Sequence, residues 1–545
     1  MDTLPLLIVG NIISYLDRLV DRLFVTLVCK RLYDHRQQYL NLIGTNVYMR
    51  SKDHCYLNSY KPIINNATKQ SSSTTYEVDL VAFFQSDCSI DIEGLRESLS
   101  NPAIKRVSIL RYRLGLIHPL AIFHLQWDHM ETVLDELAAR SVQLDLVNDS
   151  VTLPSMAHLH LTKLCCVVDH VYDNPFPSSV THLSLGGHKE PKSKLIEMLP
   201  PGLKELNISE LFMFNAYIKP GSLPSQLESI IFNDRFNQIL ESKTFPSTLR
   251  SLSLGASFDQ SLRGTALPSS ITHLDLVRVG QYTHDLTNLP ASLTSIRLPE
   301  SFSRVLNHPP LQSLDLLLFM PSNNDTYPKL TLLKMGLLKS KEFPASRFPN
   351  IERLYIGASQ HNLDISTLPW SSLIFASLLI GPEAMTSSIS KPIPFGVQEL
   401  ELGNCNFINV PAGSLPCSLT TLRMNNVENL KPGHIPQSVT SLGLYHYDVQ
   451  SLDPGVLSAT CLPLLRHLTL DNVLGMDDLV LKHPLPLSIV SLTLGPCRAG
   501  ANEVYLRRLS ERVYFKCSLP TNTTSQYVKD YGFIVDLTSI VKSMV

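Results

Sequence analysis

Residues able to carry chemistry are plentiful in this 545-residue chain, but their spacing assembles no reaction centre. Its 10 cysteines, including the adjacent Cys165 and Cys166, form no Cys-x-x-Cys pair, and none of the 18 histidines joins them at a zinc-binding interval. Scattered thiols in a chain of this length read as small buried hydrophobes in a reducing compartment. A Gly-x-x-x-x-Gly-Lys phosphate loop, a Gly-x-Gly-x-x-Gly turn, a His-Glu-x-x-His helix and a Gly-x-Ser-x-Gly elbow are all missing. The expectation is a protein that is not an enzyme and uses no metal or cofactor. What remains is recognition. Arg297, Arg353, Tyr355 and Arg423 each lie beside aliphatic residues in short alternating segments, and Arg and Tyr are types that dominate contact energy between proteins. These four are the expected partner-binding residues.

Composition narrows the partner. The chain carries 46 Lys+Arg against 48 Asp+Glu, for a formal net charge of -2, and is 44% hydrophobic. That is too apolar for a disordered chain and lacks the one-sided positive charge that binds nucleic acid. No uncharged apolar run approaches the ~20 residues needed to cross a bilayer. The apolar stretch from Met1 to Leu16 has no basic residue before Arg18 and carries Asp2, against a signal peptide. The chain reads as cytosolic, a placement that leaves the nucleus open, with no membrane and no nucleic acid among its partners.

The elements that would position the four residues recur. Leu is roughly one residue in six, and Pro, at 36, outnumbers Gly, at 24. Pro246 is followed by Leu249, Leu252 and Leu254; Pro268 by Ile271, Leu274 and Leu276; Pro290 by Leu293, Ile296 and Leu298. Further copies start at Pro177, Pro200, Pro224, Pro394, Pro416, Pro436 and Pro486. The aliphatic triplet alone persists at Leu311/Leu314/Leu316, Leu330/Leu333/Met335 and Ile351/Leu354/Ile356. Ile104/Val107/Ile109 and Leu159/Leu161 read as degenerate leading copies. About fifteen units result, and a Leu-x-x-Leu-x-Leu core with a period in the twenties is a leucine-rich-repeat pattern. Alternate strand residues face opposite sides, so the last two aliphatics stack inward and the residues between them form the recognition surface. The expected fold class is an α/β repeat solenoid, a leucine-rich-repeat arch with a parallel sheet.

Several strands are followed by Phe with Asn or Asp, as in Phe236-Asn237-Gln238, Phe258-Asp259-Gln260 and Phe214-Asn215. With Leu-Pro-x-Ser-Leu-Thr-x-Leu-x-Leu-Gly, this resembles the FNIP repeat, a leucine-rich-repeat variant. The repeats are expected over residues 101–500, clearest over 175–500. Residues 41–100 read as connector and N-terminal cap, and 501–545 as a C-terminal cap.

Residues 1–40 follow a helical rule, with Leu4, Ile8, Ile12 and Leu16 recurring at i+4 and Pro5 in the first turn. Together with Leu27-Val28-Cys29-Lys30-Arg31-Leu32-Tyr33, this phrase resembles an F-box. The resemblance implies a small helical module that docks a Skp-type adaptor of a cullin-RING ubiquitin ligase, while the repeats select the target protein. It assigns adaptor binding to Leu4, Pro5, Ile8, Ile12, Leu16, Val28, Cys29 and Lys30. Two alternatives stay open: helices that merely cap the solenoid, and a leucine-rich-repeat scaffold with no ligase role.

Overall fold

The computed structural model describes residues 8–10, 13, 25, 30–35, 47–49, 78–83, 104–110, 143–148, 161–167, 176–188, 194–263, 266–300, 302–319, 326–338, 342–359, 363, 365–379, 392–403, 411–425, 430–445, 453–471, 485–495, 504–508, 513–517 and 531–536. They belong to two compact units. One reaches Phe214 and includes Gly221–Ile231; the other comprises Asn215–Pro220 and Phe232–Pro520, with Val528–Val545.

In the first unit a parallel ladder runs in chain order through β1 (Val47–Met49), β2 (Val78–Phe83), β3 (Ile104–Leu110), β4 (Gln143–Asn148), β5 (Leu161–Val167), β6 (His182–Gly187), β7 (Glu205–Leu211) and β8 (Ser229–Ile231). Two strands therefore lie within residues 41–100, where a connector and cap were expected. The register also moves one copy and adds another. Leu164 and Cys166 stand opposite Leu183 and Leu185, so Leu161 opens that triplet where Leu159/Leu161 was expected to close one. Leu144 and Leu146 stand opposite Val107 and Ile109, a rung without the flanking aliphatic that would have marked it.

The second unit continues the pattern through β9 (Ser251–Ser253), β10 (His273–Asp275), β11 (Ser295–Leu298), β12 (Ser313–Phe319), β13 (Leu332–Leu338), β14 (Arg353–Ser359), β15 (Phe375–Leu379), β16 (Glu399–Gly403), β17 (Thr421–Asn425), β18 (Ser441–Tyr445), β19 (His467–Asp471) and β20 (Ser491–Leu494), each parallel to the next. Leu252, Leu254, Leu274, Leu276, Ile296 and Leu298 are all buried, stacking as the continuous core that one repeat cannot make alone. The proline has a defined place. Pro246, Pro268 and Pro290 each offer a carbonyl to the amide of the first aliphatic three residues on, closing the turn that enters the strand. The two hydroxyls of the Pro-x-Ser-Leu-Thr phrase tie repeats together. Ser270 Oγ donates to the Leu249 carbonyl at 2.6 Å and Thr272 Oγ1 to the Arg250 carbonyl at 3.1 Å, and Ser292, Ser418 and Ser438 repeat the first bond.

The Phe and Asn of the resemblance build a second column. Phe236, Phe258, Tyr282 and Phe302 are buried and stack with centroid separations of 6.3, 6.4 and 6.4 Å. Beside them, Asn215 Oδ1 accepts from the Asn237 amide at 2.9 Å and Asn237 Oδ1 from the Asp259 amide at 3.0 Å. Asp259 Oδ1 then accepts from the Thr283 amide at 2.8 Å. The glycine that ends the phrase is steric: a Cβ on Gly255 would lie 2.1 Å from the Asn233 carbonyl oxygen of the preceding repeat.

The α/β expectation needs correction. Among the described residues the return segments are turns and short 3₁₀ stretches such as Ala345–Arg347 and Pro454–Leu457. About a dozen residues separate one strand from the next Pro turn, enough for up to about three helical turns of roughly 3.6 residues each. The Asn237 and Asp259 amides instead donate to side chains of the preceding repeat, which a helical amide bonded to the carbonyl four residues back does not do. The architecture is a parallel β-solenoid of leucine-rich-repeat type. At its C-terminal end β21 (Val504–Arg508), β22 (Val513–Cys517) and β23 (Tyr531–Asp536) add antiparallel strands after β20, ending the parallel repeat. At the N-terminus, helix is described at residues 8–10, 13 and 25 and over α1 (Lys30–Asp34). Among the described residues these pieces do not amount to the helical F-box module expected over 1–40.

Candidate protein-interaction surface

Because rungs point inward, the residues between them face out, and the register sets them in two rows. One row passes from Ser313 through Leu332, Arg353 and Phe375 to Glu399; the other from Arg297 through Asp315, Lys334, Tyr355, Ser377 and Glu401 to Arg423. Of the four expected contact residues, Arg353 and Tyr355 meet. Arg297 lies three strands to one side and Arg423 three to the other, about 14 Å each way at ordinary strand spacing.

Arg297 already has partners. Its Nη1 lies 2.7 Å from Asp275 Oδ2 and its Nε 3.3 Å from Asp315 Oδ2, so one guanidinium bridges the carboxylates of the strands on either side. The pair is surface-exposed and contributes little to stability. Its effect is to set the local charge. Two carboxylates against one cation leave this part of the face net negative.

Three strands on, the cations rest on rings. Arg353 lies 4.6 Å from the Phe375 centroid and donates from Nη2 to Tyr355 Oη at 3.3 Å. Lys334 Nζ lies 5.1 Å from the Tyr355 centroid, and the Tyr355 and Phe375 rings are 4.7 Å apart. Phe375 is buried although it occupies an outward position, because Arg353 and Tyr355 cover it. Cation–π contacts at exposed sites are worth about 0.5–1 kcal/mol each, enough to hold the two charges in place without neutralising them. Among the described residues neither Lys334 nor Arg353 has a carboxylate within ion-pair distance. The hydrogen bond to Tyr355 and the field of Glu399 push the Arg353 pKa above its ordinary value, so it stays charged.

Beyond the acidic Glu399 and Glu401, Arg423 stands opposite Gly443. A Cβ there would meet Tyr445 Cε2 at 2.8 Å and Arg423 Cγ at 3.3 Å, so the missing side chain makes room for the Tyr445 ring beside the arginine. Phe375 and Tyr445 were not among the expected contacts. Ala376 replaces the usual Leu rung after Phe375, which hides that copy from a search for Leu-x-x-Leu-x-Leu.

Residues 214–257 and 236–278 match the FNIP repeat. In them the buried Phe column and the Asn/Asp ladder are what the repeat's leading residues do. A solved structure described as CroV588, a circular leucine-rich-repeat protein, aligns over 78% of this chain and 80% of its own at 19% identity, with a TM-score of 0.44. No curated protein matches the chain. Among the described residues no group of three or more His, Cys, Asp or Glu is placed to hold a metal ion, and no helix is long and apolar enough to cross a membrane.

Of the residues that the F-box resemblance assigned to adaptor binding, Ile8 is 44% exposed and Lys30 is exposed at the start of α1. Leu4, Pro5, Ile12, Leu16, Val28 and Cys29 lie outside the described residues.

Proposed function

We propose that this chain is a protein-binding scaffold that receives its partner on the outward face of the FNIP-type solenoid. The observation that carries the reading is the Lys334, Arg353, Tyr355 and Phe375 cluster, where aromatic anchors share one patch with charges that have no carboxylate partner among the described residues. Arg297 and Arg423 flank it and complete the contact set. Affinity capture from an extract of the source cells, comparing the native chain with one carrying Ala at Arg297, Arg353, Tyr355 and Arg423, tests it. Loss of the captured protein from the folded variant is expected; undiminished capture rejects the face.

A second reading makes this scaffold the target-recognition subunit of a cullin-RING ubiquitin ligase, through an F-box at residues 1–40. Supporting it are the motif residues and one contrast: Val9 and Ile13 are fully buried while Ile8 is 44% exposed, leaving an apolar position outward as adaptor docking requires. Binding of a Skp-type adaptor to the whole chain, lost on deletion of residues 1–40 and on Ile8→Lys, is the expected result. Absent binding, or binding that survives both changes, leaves only the scaffold.

A further inference from the structure

Taken strand by strand, charge on the outward face of the second unit alternates over a regular distance. Asp275 and Asp315 with Arg297 between them are net negative and centred on β11. Lys334 and Arg353, on β13 and β14, are positive and lack a carboxylate partner among the described residues. Glu399 and Glu401, on β16, are negative again. At 4.7–4.9 Å per strand, each negative centre lies about 12 Å from the positive one. An extended chain covers that distance in three to four residues.

We infer that the partner segment crossing this face has an acidic centre of one or two residues, with a basic residue three to four positions away on each side. The inference rests on the outward face being the contact surface and specifies the chemistry it selects. The acidic centre would sit over Lys334 and Arg353, with Leu332 and Tyr355 giving apolar contact beside it. The basic flanks would meet Glu399 and Glu401 on one side and the Asp275–Arg297–Asp315 group on the other. Charge order argues for a polypeptide over a nucleic acid. A phosphodiester strand carries its negative charge without interruption, so a strand seated on Lys334 and Arg353 would run onto both acidic rows and be repelled. A polypeptide can reverse sign within three residues. Complementarity of this kind sets partner choice and encounter rate more than raw affinity.

The test pans a display library of random dodecapeptides on the immobilised full chain, on Lys334→Glu/Arg353→Glu, and on the milder Lys334→Gln/Arg353→Gln, with circular dichroism to confirm folding. Peptides of base-acid-base order should be enriched about tenfold or more over the reversed order on the native chain. Enrichment should vanish with the Gln pair and invert with the Glu pair. Enrichment independent of charge order, equal enrichment on all three proteins, no enrichment at all, or tighter binding of a short single-stranded DNA than of the best peptide would each overturn the inference. Capture with the four-alanine variant separates the two levels. If that variant loses its partner while charge order proves irrelevant, the face is right and its chemistry wrong; if capture survives as well, both fall.

Discussion

Replacing Asn237 asks whether the amide ladder holds one repeat on the next. Asn237 Oδ1 accepts from the Asp259 amide and from Gln260 Nε2, both at 3.0 Å. Leucine has the same branched heavy-atom skeleton and no acceptor, so two partly buried donors lose their partner. At about 1 kcal/mol net for each bond, the loss is about 2 kcal/mol. Aspartate keeps the acceptor, and Asp259 already serves in the next repeat, where its carboxylate accepts from both the Thr283 amide and hydroxyl. The cost of Asn237→Asp is a second carboxylate one repeat from Asp259. In a largely aqueous setting at roughly 5 Å this is about 1 kcal/mol, and salt screens it. The expected order is therefore native, then Asn237→Asp, then Asn237→Leu, with the Asp deficit closing in high salt and the Leu deficit unmoved. Hydrogen exchange at the Asp259 amide reads this locally, and 2 kcal/mol corresponds to about thirtyfold faster exchange in the Leu variant. If exchange in the Leu variant is unchanged, or the Asp variant is equally damaged in high salt, the ladder does not join the repeats.

Three further outcomes follow from the same architecture. Leu254→Ala or Leu276→Ala, at fully buried rungs, should cost about 2–5 kcal/mol in urea denaturation, and unchanged curves for both would refute the stacking. Gly255→Ala should destabilise by at least about 1–3 kcal/mol, because its methyl would meet the backbone of the preceding repeat, whereas Gly280→Ala, 3.1 Å from its nearest neighbour, should cost less; equal effects would remove the steric account. His308 is buried with Nε2 donating to the Leu293 carbonyl at 2.8 Å, and burial lowers its pKa below 6.5. The unfolded chain therefore takes up a proton first as pH falls, so stability should be level above about pH 6.5 and decline below it, by at most about 1.4 kcal/mol per pH unit. His308→Gln, which keeps a donor, should flatten that slope, and an unchanged slope would place the titration elsewhere.

The parts of this fold legible from sequence are those where burial alone chooses the residue. Leu254 and Leu276 must be apolar whatever their neighbours are, so the triplets and the strand period are plain in the letters. Phe375 was missed for the opposite reason: its partners Arg353 and Tyr355 lie about a repeat earlier, and Ala376 beneath it breaks the pattern. Arg297 was legible as an outward residue but not as a bridged one, since Asp275 and Asp315 reach it only through strand register. The return segments were misjudged because a period in the twenties suits a helix or a flat loop equally. The Asn ladder decides between them, through bonds that span 22 residues.

The Ser and Thr bonds of the Pro turns and the bonds of the Asn/Asp ladder share a direction in time as well as in space. Ser270 and Thr272 donate to carbonyls 21 and 22 residues earlier, and the Asp259 amide donates to a side chain 22 residues earlier. On a ribosome, each emerging turn of the solenoid thus meets acceptors that have already been synthesised. Such a chain can fold vectorially, laying each turn on a finished one without waiting for its far end, and its short sequence separations keep each loop-closure step small.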